Sequence, residues 1–155
     1  NSTSEKNAME LRKKTELIVI HCAATKASMD IGASEIRKWH VDDNGWDDIG
    51  YHYIIKRDGT IEPGRPEAFK GAHAPSVNSK SVAICLIGGM AEDGGAENNF
   101  TLFQFLSLKD LIKRLIASNS NIEKIVGHCD IQDNKPNCPG FNLKEWLHKE
   151  DIKCG

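Results

Sequence analysis

Apolar and polar positions follow two rhythms along this chain. Short runs of β-branched and aliphatic residues mark strands at residues 17–22 (LIVIHC), 51–56 (YHYIIK), 81–87 (SVAICLI) and 122–128. The third run is apolar enough to be covered on both faces. Period two in the second run predicts Tyr51, Tyr53 and Ile55 on one face and His52 and Ile54 on the other. The helical rhythm appears at residues 32–41, where Ile36, Trp39 and His40 share a face, and Gly45 is placed to end that segment. It returns at residues 101–118, with Thr101 as cap and Phe105, Leu108, Leu111, Ile112 and Leu115 as the apolar stripe. Residues 143–149 form a last helix. Arg57-Asp58-Gly59-Thr60 is a hairpin turn, because Asp-Gly accepts the positive φ a tight turn needs, and residues 60–64 return as the partner strand. The pattern predicts an α/β single domain with a central mixed β-sheet flanked by helices.

Composition narrows this picture only modestly. With 155 residues the chain is one ordinary domain able to bury a core. Hydrophobic residues at 39% and charged residues at 27% fit a globular protein rather than a disordered one. The 22 acidic and 20 basic residues nearly cancel, which argues against a nucleic-acid binder. No apolar run is long enough to insert in a membrane. The five cysteines, an odd count, suit reduced thiols, with at least one free for metal, better than a disulfide framework. Residues 1–8 are polar and read as a leader foreign to the domain, with Met9 as the native start and one domain over 9–155. On that reading the protein is made in the cytoplasm without a signal peptide; a mature chain whose signal has been removed is the other reading. A monomer is the default expectation.

Candidate chemistry sits at strand ends. His21 closes the run LIVI and His128 follows Ile125-Val126-Gly127, so both stand where a side chain projects into a cleft. Cys138, in the turn Asn137-Cys138-Pro139-Gly140, can fold back toward them. Two imidazoles and a thiolate would make a three-ligand zinc set with a fourth position open. The spacing matches no compact zinc-finger pattern, and strand-end histidines with satisfied hydrogen bonds are the plainer reading. Asp130 either orients a ligating imidazole or is a solvated turn carboxylate. Strand parity turns Cys22 and Cys129 inward as small core residues. Tyr51 is either an ordinary strand aromatic or a hydroxyl at the cleft, and Trp39 is expected in the core.

Seven segments then recur in a familiar order: Ile20 to Thr25, Gly45 to Tyr53, Ile55 to Thr60, Gly71 to Ala74, Ile84 to Gly89, Gly127-His128, and Cys138 to Phe141. Together they resemble the N-acetylmuramoyl-L-alanine amidases of the phage-lysozyme and peptidoglycan-recognition-protein type, from about Glu16 to Trp146. The resemblance implies that His21, His128 and Cys138 bind Zn2+ and that Tyr51 is catalytic. It also implies that Thr25, Trp46, His73 and Asn78 line a muropeptide groove. The groove is expected from the loops at residues 25–32, 67–80 and 130–138. Where relatives carry a catalytic lysine two residues before the cysteine ligand, this chain has Pro136; Lys135, one place earlier, is the candidate replacement.

The implied function is zinc-dependent hydrolysis of the bond between the N-acetylmuramoyl lactyl group and L-alanine in bacterial peptidoglycan. Cell-wall peptidoglycan would be the partner. Some phage relatives also bind RNA polymerase, a property that no residue here reports. Two rival readings remain: a non-catalytic muropeptide-binding module, which should lack a zinc ligand or Tyr51, and a metal-free cysteine hydrolase, which needs an electropositive setting for its thiolate.

Overall fold

The computed structural model describes residues 10–12, 14–132 and 138–153. The apolar run after Glu16 forms β1 (Leu17–Cys22), and the two-residue β2 (Thr25–Lys26) follows. Helix α1 (Ala33–Lys38) leads to β3 (Tyr53–Ile55) and β4 (Ile61–Pro63). Then come β5 (Ser81–Leu86), β6 (Gly89–Met90), α2 (Leu102–Ser118), β7 (Lys124–Gly127) and α3 (Leu143–Lys149). The main sheet has the order β4-β3-β5-β1-β7. Its interior pairings are parallel, and β4 joins antiparallel to β3. The mixed sheet and its helices meet the fold expectation.

Strand parity separates two cores. Ile18 and Ile20 of β1 and Val82, Ile84 and Leu86 of β5 pack beneath Leu108, Leu111, Ile112 and Leu115 of α2. Cys85 and Ile87 face the other way, against Ile36 of α1, Ile49 and Ile54. Val19 packs with Ala74 and Val77 on that second face. Since β5 is buried at every position, its unbroken apolar run is explained by cover on both sides. His21 has the parity of Val19 and therefore lies on the face away from α2.

Thr101 caps α2 in a full capping box: its hydroxyl accepts from Gln104 N at 3.1 Å, and Gln104 Oε1 accepts from Thr101 N at 2.9 Å. The buried Gln104 amide also donates to the carbonyls of Ile55 (3.1 Å) and Ile87 (2.8 Å), tying the helix start to the sheet. Gly59 takes φ +91 in the expected β3–β4 turn.

Three expectations need correction. The first helix is α-helical only to Lys38 and continues as a π-helical turn over Trp39–Asp43. That wider turn shifts the helical phase, and Trp39 is 37% exposed rather than in the core. Second, β3 begins at Tyr53, because the carbonyls of Tyr51 and His52 accept from Arg65 N and Gly64 N. The face count therefore fails at Tyr51, which packs with Ile54, whereas Tyr53 lies against the α2 core. Third, the expected loop at residues 25–32 is not wholly irregular, since Thr25–Lys26 pairs with Gly89–Met90.

Candidate metal centre and active site

In register, Ile20 of β1 stands beside Gly127 of β7, so the next residue of each chain segment, His21 and His128, emerges at the same place. This is the carboxyl end of parallel strands, where open α/β sheets hold ligands. The two Nδ1 atoms are 3.1 Å apart. Cys138 joins them, the three candidate ligand atoms all lying within 4.8 Å of one another. For a tetrahedral site with Zn–N near 2.0–2.1 Å the N···N edge is about 3.3 Å, so this nitrogen pair fits zinc. The donor set of two imidazoles and one thiol suits that metal's borderline softness.

Each candidate ligand has a hydrogen-bonding neighbour. His21 Nε2 lies 2.9 Å from His73 Nδ1, and His73 Nε2 lies 3.1 Å from Ser81 Oγ. His128 Nε2 bonds to Gln132 Oε1. Cys138 Sγ accepts from Cys22 N at 3.3 Å, and Cys138 O accepts from Cys129 N at 2.9 Å. Beneath that turn lies Gly127, where an added Cβ would come within 2.8 Å of Pro139 Cδ. The hydrogen bond with the Cys22 thiol, and then burial, push the Cys138 thiol up.

Tyr51 adjoins the centre, its ring 5.0 Å from that of His21. Burial first, and then the thiols of Cys85, Cys138 and Cys22, push its phenol well above the ordinary range. It therefore remains a hydrogen-bond donor at neutral pH. The His40 ring lies tilted against those of Tyr51 (centroids 5.5 Å apart) and Trp46 (4.5 Å), and its Nδ1 accepts from Gly50 N at 2.8 Å. Trp46 keeps 38% of its surface open beside this group.

The remaining expected residues take less direct positions. His73 is 9% exposed, with both ring nitrogens engaged. Asn78 Oδ1 accepts from His73 N (3.1 Å) and Ala74 N (2.9 Å). Thr25 is buried, and its hydroxyl accepts from Gly88 N at 2.8 Å. Lys135 and Pro136 lie outside the described residues, as do residues 1–9.

The inward placement of Cys22 and Cys129 is corrected. Both are half-buried; Cys22 stands beside Cys138, and Cys129 lines a cleft. Parity fails for Cys129 because β7 ends at Gly127 and a 3₁₀ turn takes over. Asp130 is exposed and accepts from Gly127 N at 2.8 Å, a turn carboxylate. The cleft, of about 260 Å³, is lined by Cys138, Cys129 and Phe141 together with Glu97 and Asn98. The loop that carries Glu97 was not among the segments expected to build the groove.

Sequence reasoning also passed over His40, Arg65, Ser81 and Gln132. Arg65, 7% exposed, donates to the carbonyls of Ile49, Lys70 and Asp48 and so secures the segment before Tyr51. One signal was available for Ser81: it is the lone hydroxyl opening an otherwise apolar central strand.

Known proteins share this sequence pattern and this fold. The family model described as N-acetylmuramoyl-L-alanine amidase matches residues 11–141. An endolysin of Klebsiella phage KP32 is 43% identical over 141 residues, covering 91% of each chain. A solved endolysin N-acetylmuramoyl-L-alanine amidase, LysCS from Clostridium intestinale, superposes with a TM-score of 0.76 at 32% identity, covering 94% of this chain and 91% of that one. A Drosophila PGRP-LB variant in complex with tracheal cytotoxin gives 0.73 at 25% identity, over 98% and 95%. From this match and this architecture, the chain belongs to the N-acetylmuramoyl-L-alanine amidase family.

Proposed function

We propose that this chain is a zinc-dependent amidase that hydrolyses the bond between the N-acetylmuramoyl lactyl group and L-alanine in bacterial peptidoglycan. The observation that carries the reading is the convergence of His21 Nδ1, His128 Nδ1 and Cys138 Sγ at one strand end, beside Tyr51. Zinc, when bound, supplies Lewis acidity, lowering the pKa of a coordinated water toward about 7 and polarising the substrate carbonyl.

The chain's own residues do the rest. His21, His128 and Cys138 would hold the ion, a set one short of the four ligands zinc commonly takes. Tyr51 keeps its proton and donates a hydrogen bond to the oxygen that gains charge as the amide is attacked. Lys135 is assigned a positive charge near the same oxygen. Trp46, open beside His40, offers a flat apolar face to a sugar ring or to the stem peptide. Peptidoglycan, as the partner, would meet this face and the cleft beside Cys138. No helix of the described residues is long and apolar enough to cross a membrane, and the proposed site of action is the cell wall.

The test is release of free L-alanine amino termini from purified peptidoglycan. The chelated protein is expected to release none, and added zinc to restore release. Peptidoglycan binding without release, with zinc present, would instead assign the chain to the non-catalytic muropeptide-binding relatives.

A further inference from the structure

The hydrogen bonds behind His21 form a chain with a direction. It starts at the Val77 carbonyl, which can only accept. Ser81 Oγ donates to that carbonyl at 2.8 Å. With its one hydrogen committed there, Ser81 Oγ accepts from His73 Nε2 at 3.1 Å. A neutral imidazole carries one N–H, so His73 Nδ1 is then the acceptor, and it takes the Nε2 proton of His21 at 2.9 Å.

We propose that Ser81 is a positioning residue for the metal site: acting through His73, it holds His21 with its proton on Nε2 and with an unprotonated Nδ1 that faces His128 Nδ1 at 3.1 Å. The reverse polarity requires the Ser81 hydroxyl to turn from Val77 to His73. That deprives the Val77 carbonyl of this donor and places a proton on His21 Nδ1, in the face of the incoming ion.

Burial makes the direction matter. Ser81 is 0% exposed, His21 1% and His73 9%, so bulk water is not a ready substitute partner. The scaffold is fixed as well. Asn78 holds the backbone N–H groups of His73 and Ala74, and Val77 N donates to Ala74 O at 2.9 Å. His73 and the Val77 carbonyl therefore belong to one braced loop, and Ser81 bridges its two ends. Metal-bound histidines usually donate their second N–H to a carboxylate, a carbonyl or water, groups that accept without instruction. Here another imidazole takes that place, and its own polarity must be set by a further group. The serine sets it.

This inference rests on the reading of His21, His128 and Cys138 as zinc ligands, and its test separates the two. Zinc dissociation constants are measured by competition with a chromophoric chelator for the wild type, Ser81→Ala, Ser81→Thr and Val82→Ala. Long-range proton–nitrogen correlation spectra of the metal-free proteins, at a pH where the imidazoles are neutral, report which nitrogen of His21 carries the proton. Ser81→Ala is expected to weaken zinc binding about 10- to 100-fold, the range typical of such outer partners. It is also expected to lose the single Nε2-protonated form of His21. Ser81→Thr, which keeps the hydroxyl, is expected to restore both. Val82→Ala, on the opposite face of β5, is expected to lower stability and leave zinc affinity unchanged.

Wild-type affinity with an unchanged His21 tautomer in Ser81→Ala would overturn the proposal. So would weaker zinc binding with that tautomer retained, which leaves the serine a structural role only. A wild-type chain that takes up no zinc would sink the zinc reading, while the metal-free spectra would still decide the relay.

Discussion

The metal centre has an inner wall and an outer wall, and they are built by different means. On the inner side, His21 projects from a buried strand and is backed by His73 and Ser81, both closed to solvent. Its position follows from strand register and apolar packing. On the outer side, Cys138 sits in a half-exposed turn, held through Cys22 N and the Cys129–Cys138 backbone bond and bordered by an open cleft. On the proposed reading, the inner wall would set where the ion lies and which lone pair it meets. The outer wall leaves access for substrate. A hydrolase needs both, and this fold supplies them from the two sides of one strand end.

The comparison can be broken at either wall. The largest effect is expected from Cys138→Ser, which removes the outer ligand: amidase activity should disappear and zinc content of the purified protein should fall, with little change in the unfolding transition of the chelated protein. Leu108→Ala, in the core beneath the sheet, should do the opposite. A cost of about 3 kcal/mol in urea unfolding is expected from the lost packing, with zinc affinity of the folded protein unaltered.

Acid tests the inner wall by itself. His52, buried among the same loops, accepts from Ala83 N at 3.0 Å and donates to Phe69 O at 2.7 Å. Burial chiefly lowers its pKa from 6.5 to about 4. The unfolded chain therefore takes up this proton first as pH falls, and stability present above pH 6.5 is lost on the way down to pH 4. The single-site limit is about 3 kcal/mol. Urea midpoints of the chelated protein at pH 7, 5.5 and 4.5 should decline in that order, and a flat profile would remove His52 from the account. The smallest effect is expected at the seam of the two walls. Gly127→Ala forces Pro139 to shift, and with it the turn that presents Cys138. About a tenfold loss of zinc affinity is expected, measured by chelator competition, with near-normal stability.

Much of this architecture was legible because its signals are local. The run Leu17 to Ile20 followed by His21 marks both a buried strand and a side chain at its end. The Thr101 cap and the stripe through Leu115 define α2 within a residue. The failures come where a local period is interrupted. A π-helical turn carries Trp39 out of the core, and a 3₁₀ turn after Gly127 voids the parity argument for Cys129. Nor can any period disclose that Ser81 meets His73, or that Glu97 borders the cleft, because those contacts depend on how distant loops fold over the sheet. The resemblance named His73 as a groove residue, and its bonding to His21 emerges only in three dimensions.

The parallel pairing of β1 with β7 has a consequence for how the protein comes into being. His21 and His128 are separated by 107 positions, and they meet only when β1 and β7, the first and last strands among the described residues, lie side by side. Contacts of such long range form late and slowly, because loop closure must be paid for before they reward it. On the proposed zinc reading, metal uptake would report completed assembly, since a chain in which β1 and β7 have not yet paired presents His21 without His128 beside it.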